Sequence, residues 1–381
     1  MPRPIKAIIH TDALRHNLDL VRGVLQRTQT PSNVWAVIKA NAYGHGIEPA
    51  VASFGVADGL ALLDLDEAVR ARQAGWRKPI LLLEGPFAAD DLHTFLQYRL
   101  TPVIHNTEQL VMLDSLDAGG FDDTALGRAA LDVYLKLDTG MTRLGFTRSN
   151  YREAFARVDA LQRAGKIGKI TNMTHFACAD RADGLDEPLQ RFAQMTADRV
   201  GQWCLSNSAA CLMHTDTVAL FAAAHGRALW SRPGICLYGG SPVTERTATD
   251  LGLLPAMTLK SELISVKAVD IGDAIGYGHT FVADRPMRVG VVACGYADGY
   301  PRHAPTGTSI AVGGHRTRIV GRVSMDMITV DLSGLPEFGV GTEVVLWGKG
   351  GPSADEVAAA AGTINYELLS AVTARVARVI E

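Results

Sequence analysis

The chain has 381 residues, a length that predicts two or three domains. Hydrophobic residues make up 47 % and charged residues 20 %, which is typical of a globular protein and excludes a disordered or fibrous one. Lysine plus arginine number 37 and aspartate plus glutamate 40, so the net charge of −3 gives no broad basic surface for nucleic acid or an anionic membrane.

The first two-thirds of the chain repeats one pattern, in which a short β-branched run precedes a longer amphipathic segment. Eight runs predict strands: Val34–Ile38, Gly59–Leu63, Pro79–Leu83, Leu100–His105, Leu131–Leu137, Lys169–His175, Cys204–Ser206 and Ala228–Ser231. Strands that alternate with helices form right-handed βαβ units and a parallel sheet. About eight such repeats over roughly 230 residues predict a (β/α)8 barrel.

The pattern changes near Gly239–Pro242, after which the runs are separated by turns rather than helices. Six runs predict strands there: Leu259–Val269, Arg288–Cys294, Thr308–Val312, Arg318–Val323, Met327–Leu332 and Thr342–Leu346. Two predicted helices follow, Ser353–Ala361, which opens on a possible capping box, and Tyr366–Ile380. We therefore expect a (β/α)8 barrel over 1–240, its first strand free to pair with the second domain, and a mainly β domain over 241–381.

Residues at the carboxyl ends of barrel strands build the active site in barrels of this kind. Those positions hold Lys39, Lys136, Arg143, His175, Ser208 and Arg232. Lys39 follows an apolar run, where burial lowers the pKa of a lysine and makes it a candidate Schiff-base nucleophile. The alternative is a lysine that leaves the sheet edge for solvent.

Val37–Gly46 resembles the cofactor-lysine segment of the alanine racemase family, whose members use pyridoxal phosphate. Eight further blocks resemble that family in order: Lys136–Gly145, His175–Ala177, Asn207–Ala210, Arg232–Ile235, Gly276–Gly278, Gly295–Gly299, Met325–Asp326 and Thr363–Glu367. Nine ordered blocks between positions 37 and 367 are much more specific than any single one.

The resemblance implies a role for each matching residue around pyridoxal 5'-phosphate. Lys39 would bind the cofactor covalently and act as one base, and Tyr277 would be the second base on the opposite face of the substrate. The cofactor phosphate would be bound by Tyr43, Ser208, Tyr366 and the amides of Gly234 and Ile235. Arg232 would face the ring nitrogen, with His175 in contact with Arg232.

The resemblance also implies how the substrate is bound and how the chains assemble. Arg143 and the amide of Met325 would bind the carboxylate of alanine, and Lys136 would be carbamylated and orient Arg143. Tyr277 comes from the other subunit in the family, which implies a homodimer with composite active sites. The expected role is the supply of D-alanine for peptidoglycan.

Three other functions fit part of the pattern. A decarboxylase of the same architecture has a glutamate near the ring nitrogen, where this chain has Arg232. A non-catalytic pyridoxal-phosphate carrier resembles the barrel alone, so the second domain with Tyr277 and Met325 argues against it. Racemisation of serine or of a broader range of amino acids stays open.

The remaining patterns bear on location and metal binding. The first 20 residues lack a secretory signal pattern, and no run approaches about 18 apolar residues, so we expect no membrane span. Five cysteines without CxxC spacing predict free thiols in a cytoplasmic protein. No metal site is expected.

Overall fold

The architecture is a closed parallel barrel joined to a mainly antiparallel sheet. In this computed structural model, residues 3–116, 130–199 and 201–381 are described. Strand β1 (Lys6–Ile9) and helix α1 (Thr11–Gln26) precede the barrel. The barrel strands follow one another in chain order: β2 (Ser32–Val37), β3 (Gly59–Leu62), β4 (Ile80–Leu82), β5 (Leu100–Ile104), β6 (Leu131–Lys136), β7 (Ile167–Met173), β8 (Gln202–Cys204) and β9 (Leu229–Ser231). This arrangement confirms the predicted barrel.

Helical segments connect the barrel strands: α2 (Lys39–Tyr43), α3 (Ile47–Ser53), α4 (Leu65–Gln73), α5 (Asp91–Gln97), α6 (Thr107–Asp114), α7 (Tyr151–Arg163), α8 (Asp186–Thr196), α9 (Ser208–Met213) and α10 (Thr215–Ala224). Their apolar residues recur every three or four positions, as α7 shows by burying Tyr151, Phe155 and Val158. Asp64 accepts hydrogen bonds from the amides of Asp66 and Glu67 and so begins α4.

The second sheet is built around the long strand β10 (Met257–Val269), which pairs with β1, β13 and β17. The other strands are β13 (Met287–Val292), β14 (Ser309–Val312), β15 (His315–Arg318), β16 (Ile328–Asp331), β17 (Glu343–Trp347) and β18 (Ala377–Ile380), with helices α11 (Ala354–Ala360) and α12 (Asn365–Ala371). A separate hairpin joins β11 (Ala274–Ile275) to β12 (Phe281–Val282). Strand β1 lies between β10 and β18, although the whole barrel separates it from them in sequence.

Two predicted elements of this half are wrong. The run Arg318–Val323 is not a strand, because β15 ends at Arg318 and only Ile319 then forms an isolated bridge. The helix predicted over Tyr366–Ile380 ends at Ala371, and its last part is instead β18, paired in parallel with β1. The predicted helix at Ser353–Ala361 is confirmed, with the Ser353 hydroxyl accepting from the Glu356 amide at 3.0 Å.

One buried apolar cluster joins the two halves, and it includes Leu60 and Phe95 of the barrel and Leu259 and Trp347 of the sheet. In the described ranges, no helix combines the length and apolar character that a membrane crossing needs.

Candidate active site

The segment directly after Lys39 is a left-handed turn. The φ angles of Ala40, Asn41, Ala42 and Tyr43 are 55°, 50°, 53° and 52°. These values lie close to the ideal left-handed helix, which L-residues usually enter one at a time and at a cost of about 1–2 kcal/mol each. Strain of this kind clusters at functional sites, so the turn marks the end of β2 as a candidate site.

Lys39 lies half-buried at the start of this turn, where β2 ends. Burial lowers the pKa of its ammonium group, the nearby Arg143 lowers it further, and Glu84 raises it. A larger fraction of the Lys39 amine is therefore neutral and nucleophilic than in a free lysine. Sequence reasoning missed Glu84, although its position just beyond β4 follows the same end-of-strand rule that identified Lys39.

Lys136, the last residue of β6, is buried with a relative exposure of 6 %. Burial lowers its pKa to about 8, and Arg232 and Arg143 lower it as well, whereas Glu84 raises it. Within the described residues, no carboxylate oxygen lies within 4.0 Å of its ammonium group. The carboxyl ends of the strands thus gather several cations around little negative charge.

Arg232 is buried immediately after β9, and its guanidinium group donates to neutral acceptors. These are the carbonyls of Thr174 at 2.6 Å and Leu205 at 3.2 Å and the sulfur of Cys204 at 2.8 Å. His175 lies beyond β7, where burial and then Arg232 lower its pKa to about 2, so its ring is neutral. Within the described residues, no hydrogen bond joins the side chains of Arg232 and His175.

A second group of predicted residues forms a cradle beside the left-handed turn. Ser208, the first residue of α9, accepts a hydrogen bond from the amide of Gly234 at 2.8 Å. A Cβ atom on Gly234 would lie 2.4 Å from the Tyr43 hydroxyl, so only glycine leaves this space free. Tyr366 lies 6.0 Å from Tyr43 between ring centroids, and Ile235 is fully buried at the start of a short 3₁₀ turn.

Three predicted residues are open to solvent in the single chain. Tyr277 is 72 % exposed on the hairpin between β11 and β12, flanked by Gly276 and Gly278 with φ of 77° and 72°. Met325 is 53 % exposed, and Arg143 is also exposed. His175 and residues 139–141 line a groove of about 500 Å³.

The predicted residues therefore fall into two sets. In the first set, the charges of Lys39, Lys136 and Arg232 lie close enough to one another and to His175 to lower the pKa values of Lys136 and His175. The same set includes the cradle residues Tyr43, Ser208, Gly234 and Tyr366, which contact one another. Tyr277 and Met325 lie on the second domain with exposed side chains. The enclosed part combines cations, hydroxyl groups and amide donors, a set that suits an anionic ligand such as a phosphate ester.

Both halves of the chain match one family. Residues 9–242 match "Alanine racemase, N-terminal domain" and residues 256–380 match "Alanine racemase, C-terminal domain". The alanine racemase of Bordetella petrii is 54 % identical over 383 residues, which cover 99 % of this chain and 98 % of the relative. That of Polaromonas naphthalenivorans is 52 % identical over 383 residues, which cover 99 % of both.

Solved structures agree with the sequence relatives. The biosynthetic alanine racemase from Pseudomonas aeruginosa matches with a TM-score of 0.88 and 43 % identity, covering 100 % of this chain and 99 % of that one. The alanine racemase from Acinetobacter baumannii matches with a TM-score of 0.86 and 33 % identity, covering 100 % of both chains.

Proposed function

The chain belongs to the alanine racemase family and is a racemase, and we propose that it interconverts L- and D-alanine. The reaction would use pyridoxal phosphate and two bases, Lys39 and Tyr277. The observation that carries the proposal is Lys39 at the end of β2, half-buried, with its pKa lowered by burial and by Arg143. Such an amine suits both covalent cofactor binding and proton transfer.

The residues beside Lys39 fit the cofactor. The space that Gly234 leaves beside the Tyr43 hydroxyl, together with the Ser208 hydroxyl, would accept the phosphate, with Ile235 and Tyr366 adjoining. When bound, pyridoxal phosphate supplies the electron sink that stabilises negative charge at the substrate Cα. Arg232 has only donors and keeps its charge, so beside the ring nitrogen it would act as a donor and leave that nitrogen unprotonated.

Proton transfer on two faces requires a base on each face. Lys39 would hold and return the proton on one face of Cα, and the Tyr277 hydroxyl on the other. Arg143 and the Met325 amide would orient the substrate carboxylate between them. Because Tyr277 and Met325 are 72 % and 53 % exposed in the single chain, a second surface is needed to enclose them. This supports a homodimer in which each site is composite.

Lys136 is the proposed site of carbamylation. A lysine with a pKa of about 8 is neutral in about one molecule in ten at neutral pH, and only the neutral amine attacks CO2. The resulting anion would replace a cation among Arg143, Arg232 and Lys39, and so remove repulsion. Labelled bicarbonate should give a carbamate carbon resonance that is absent in Lys136→Met.

The remaining features of the proposal concern organisation and role. We place the domain division at 240, between the cofactor-binding barrel and the domain that supplies Tyr277 and Met325. The five free cysteines support a reducing, cytoplasmic location. The product D-alanine would supply peptidoglycan, and complementation of a D-alanine-requiring bacterial strain tests that role.

Exchange of the alanine Cα proton with deuterated solvent tests the two bases. Lys39→Ala should abolish exchange from both isomers, whereas Tyr277→Phe should slow exchange from L-alanine far more than from D-alanine. Lys169→Ala, an exposed lysine on β7, is the control and should exchange normally. Equal losses for both isomers in Tyr277→Phe would refute the assignment of two bases.

A further inference from the structure

Two side chains outside the proposed cofactor contacts hydrogen-bond the backbone of the left-handed turn. Glu67, in the first turn of α4, accepts from the amide of Asn41 at 2.5 Å. The Nδ1 atom of His45 lies 3.1 Å from the carbonyl oxygen of Ala42 and 3.0 Å from that of Tyr43. The turn is therefore held near its start by Glu67, which is distant from it in sequence, and near its end by His45, which lies just beyond it in sequence.

The contact of Glu67 supplies a partner that the helix cannot. In a helical turn the Asn41 amide would donate to the carbonyl of Val37, four residues earlier. That carbonyl instead accepts a hydrogen bond from the hydroxyl of Tyr238 at 2.9 Å. Without Glu67, the amide of Asn41 would have to find another acceptor or remain unpaired.

The contacts of His45 fix its tautomer. Because carbonyl oxygens only accept, Nδ1 carries the proton, and Nε2 is left buried with no hydrogen-bond partner. Burial lowers the pKa of His45 to about 4, so the ring is neutral. A buried nitrogen without a partner destabilises the fold, and an apolar residue kept for packing alone would avoid it. The hydrogen bonds from Nδ1 to the two carbonyls offset this cost and account for a histidine at this position.

The same group couples the turn to the proposed phosphate cradle. The ring of His45 lies 4.7 Å from that of Tyr238, and Tyr238 stacks on Tyr43 at 4.6 Å. The Tyr43 hydroxyl in turn borders the space left by Gly234. A change in the turn would therefore move Tyr43 as well as Lys39.

We propose that Glu67 and His45 are positioning residues, which hold 40–43 left-handed and thereby fix the Lys39 amine and the Tyr43 hydroxyl relative to each other for cofactor binding. The inference rests on the proposed role of Lys39 as the cofactor lysine. It assigns a task to the histidine of the Val37–Gly46 block and to a glutamate outside every block.

Paired substitutions separate the bonds from the bulk of the side chains. Glu67→Ala and His45→Leu remove them, whereas Glu67→Gln keeps an oxygen acceptor and His45→Asn keeps a nitrogen donor at the δ position. Asp66→Ala is the matched control, since Asp66 is an exposed carboxylate in the same turn of α4. If Glu67→Ala fails to fold, Glu67→Asp takes its place, because its carboxylate is one methylene too short to reach the Asn41 amide in the same way.

The first readout is pyridoxal phosphate titrated into cofactor-free protein and followed by the absorbance of its lysine adduct. Glu67→Ala and His45→Leu should bind about 10-fold more weakly or worse, as is typical when an outer partner of a binding group is lost. Glu67→Gln, His45→Asn and Asp66→Ala should stay near wild type. Wild-type affinity in both removal variants would overturn the proposal.

The second readout needs no cofactor. Amide hydrogen exchange of the cofactor-free protein should quicken about 10-fold or more at Asn41, Ala42 and Gly44 in the removal variants, with the amides of β4 unchanged. Unchanged exchange at these three amides would also overturn the proposal. A wild-type chain that forms no lysine adduct would refute the proposed function instead, and the exchange experiment would still decide whether Glu67 and His45 hold the turn.

Discussion

Replacing Lys136 by methionine should stabilise the cofactor-free protein at neutral pH. The side chain has a relative exposure of 6 %, and burial together with Arg232 and Arg143 lowers its pKa from 10.5 to about 8. At about 1.4 kcal/mol for each pH unit, the charged amine lowers the free energy of unfolding by about 3 kcal/mol, an upper value. Methionine has a similar length and no charge, so Lys136→Met should recover much of this amount.

The lowered pKa of Lys136 also determines whether the free energy of unfolding rises or falls with pH. Between about pH 8 and the ordinary lysine value of 10.5, the unfolded chain binds more protons at position 136 than the folded chain does. Stability should therefore rise with pH over that window in the wild type, and the full cost should be present below pH 8. Lys136→Met should lack this rise, so the two proteins should converge near pH 10.5.

Urea unfolding at a fixed protein concentration, in buffer free of bicarbonate, measures both effects. Lys169→Met, which removes an exposed lysine, is the control and should change the midpoint little. A destabilised Lys136→Met at pH 7, or a stability difference that does not shrink as the pH rises, would contradict the view of Lys136 as a buried and unbalanced cation.

Two further substitutions test the cradle and an ion-pair cluster. Gly234→Ala should weaken cofactor binding strongly and destabilise the fold by about 1–3 kcal/mol, because the new Cβ would lie 2.4 Å from the Tyr43 hydroxyl. Gly55→Ala is the control and should do neither, since Gly55 has open space around it. Normal cofactor affinity in Gly234→Ala would show that the cradle does not bind the cofactor phosphate. Asp298→Asn should cost about 1.5–3 kcal/mol in thermal unfolding, since this fully buried carboxylate pairs with two half-exposed arginines, whereas the more exposed Asp326→Asn should cost less. Equal losses at the two aspartates would show that burial does not set the effect.

The barrel could be predicted because its signals are local. Each strand is an apolar run with its own turn, and the candidate residues follow from the rule that strand ends share one mouth. The same rule points to Glu84, which sequence reasoning passed over. Ser208 follows β8 as the first residue of α9, and Asn207 caps this helix, with its side chain accepting from the Ala210 amide.

The errors arise where a distant partner decides the structure. The apolar residues after Ala371 have helical spacing, but β1 offers a strand edge to which Ala377–Ile380 binds. Gly313 and Gly314, both with positive φ, form the tight turn before β15, and a glycine pair between two runs is a hairpin signal that would have corrected the strand predicted over Arg318–Val323.

The left-handed turn had no signal in the sequence. Of its four residues, only Asn41 belongs to a type that often enters that conformation. Its geometry depends on Glu67, which is 26 residues away along the chain from Asn41. Composition and periodicity carry no information about such a contact.

The position of β1 between β10 and β18 has a consequence for dissecting the molecule. Scission of the backbone at Gly240 would not release an autonomous module, because residues 241–381 would lose the strand that joins β10 to β18. One edge of β10 and one edge of β18 would then expose unpaired amide and carbonyl groups, which are free to pair with strands of other chains. The barrel, which closes on its own strands β2–β9, is thus an insertion within the sheet, and the sheet is complete only with the strand that precedes the barrel.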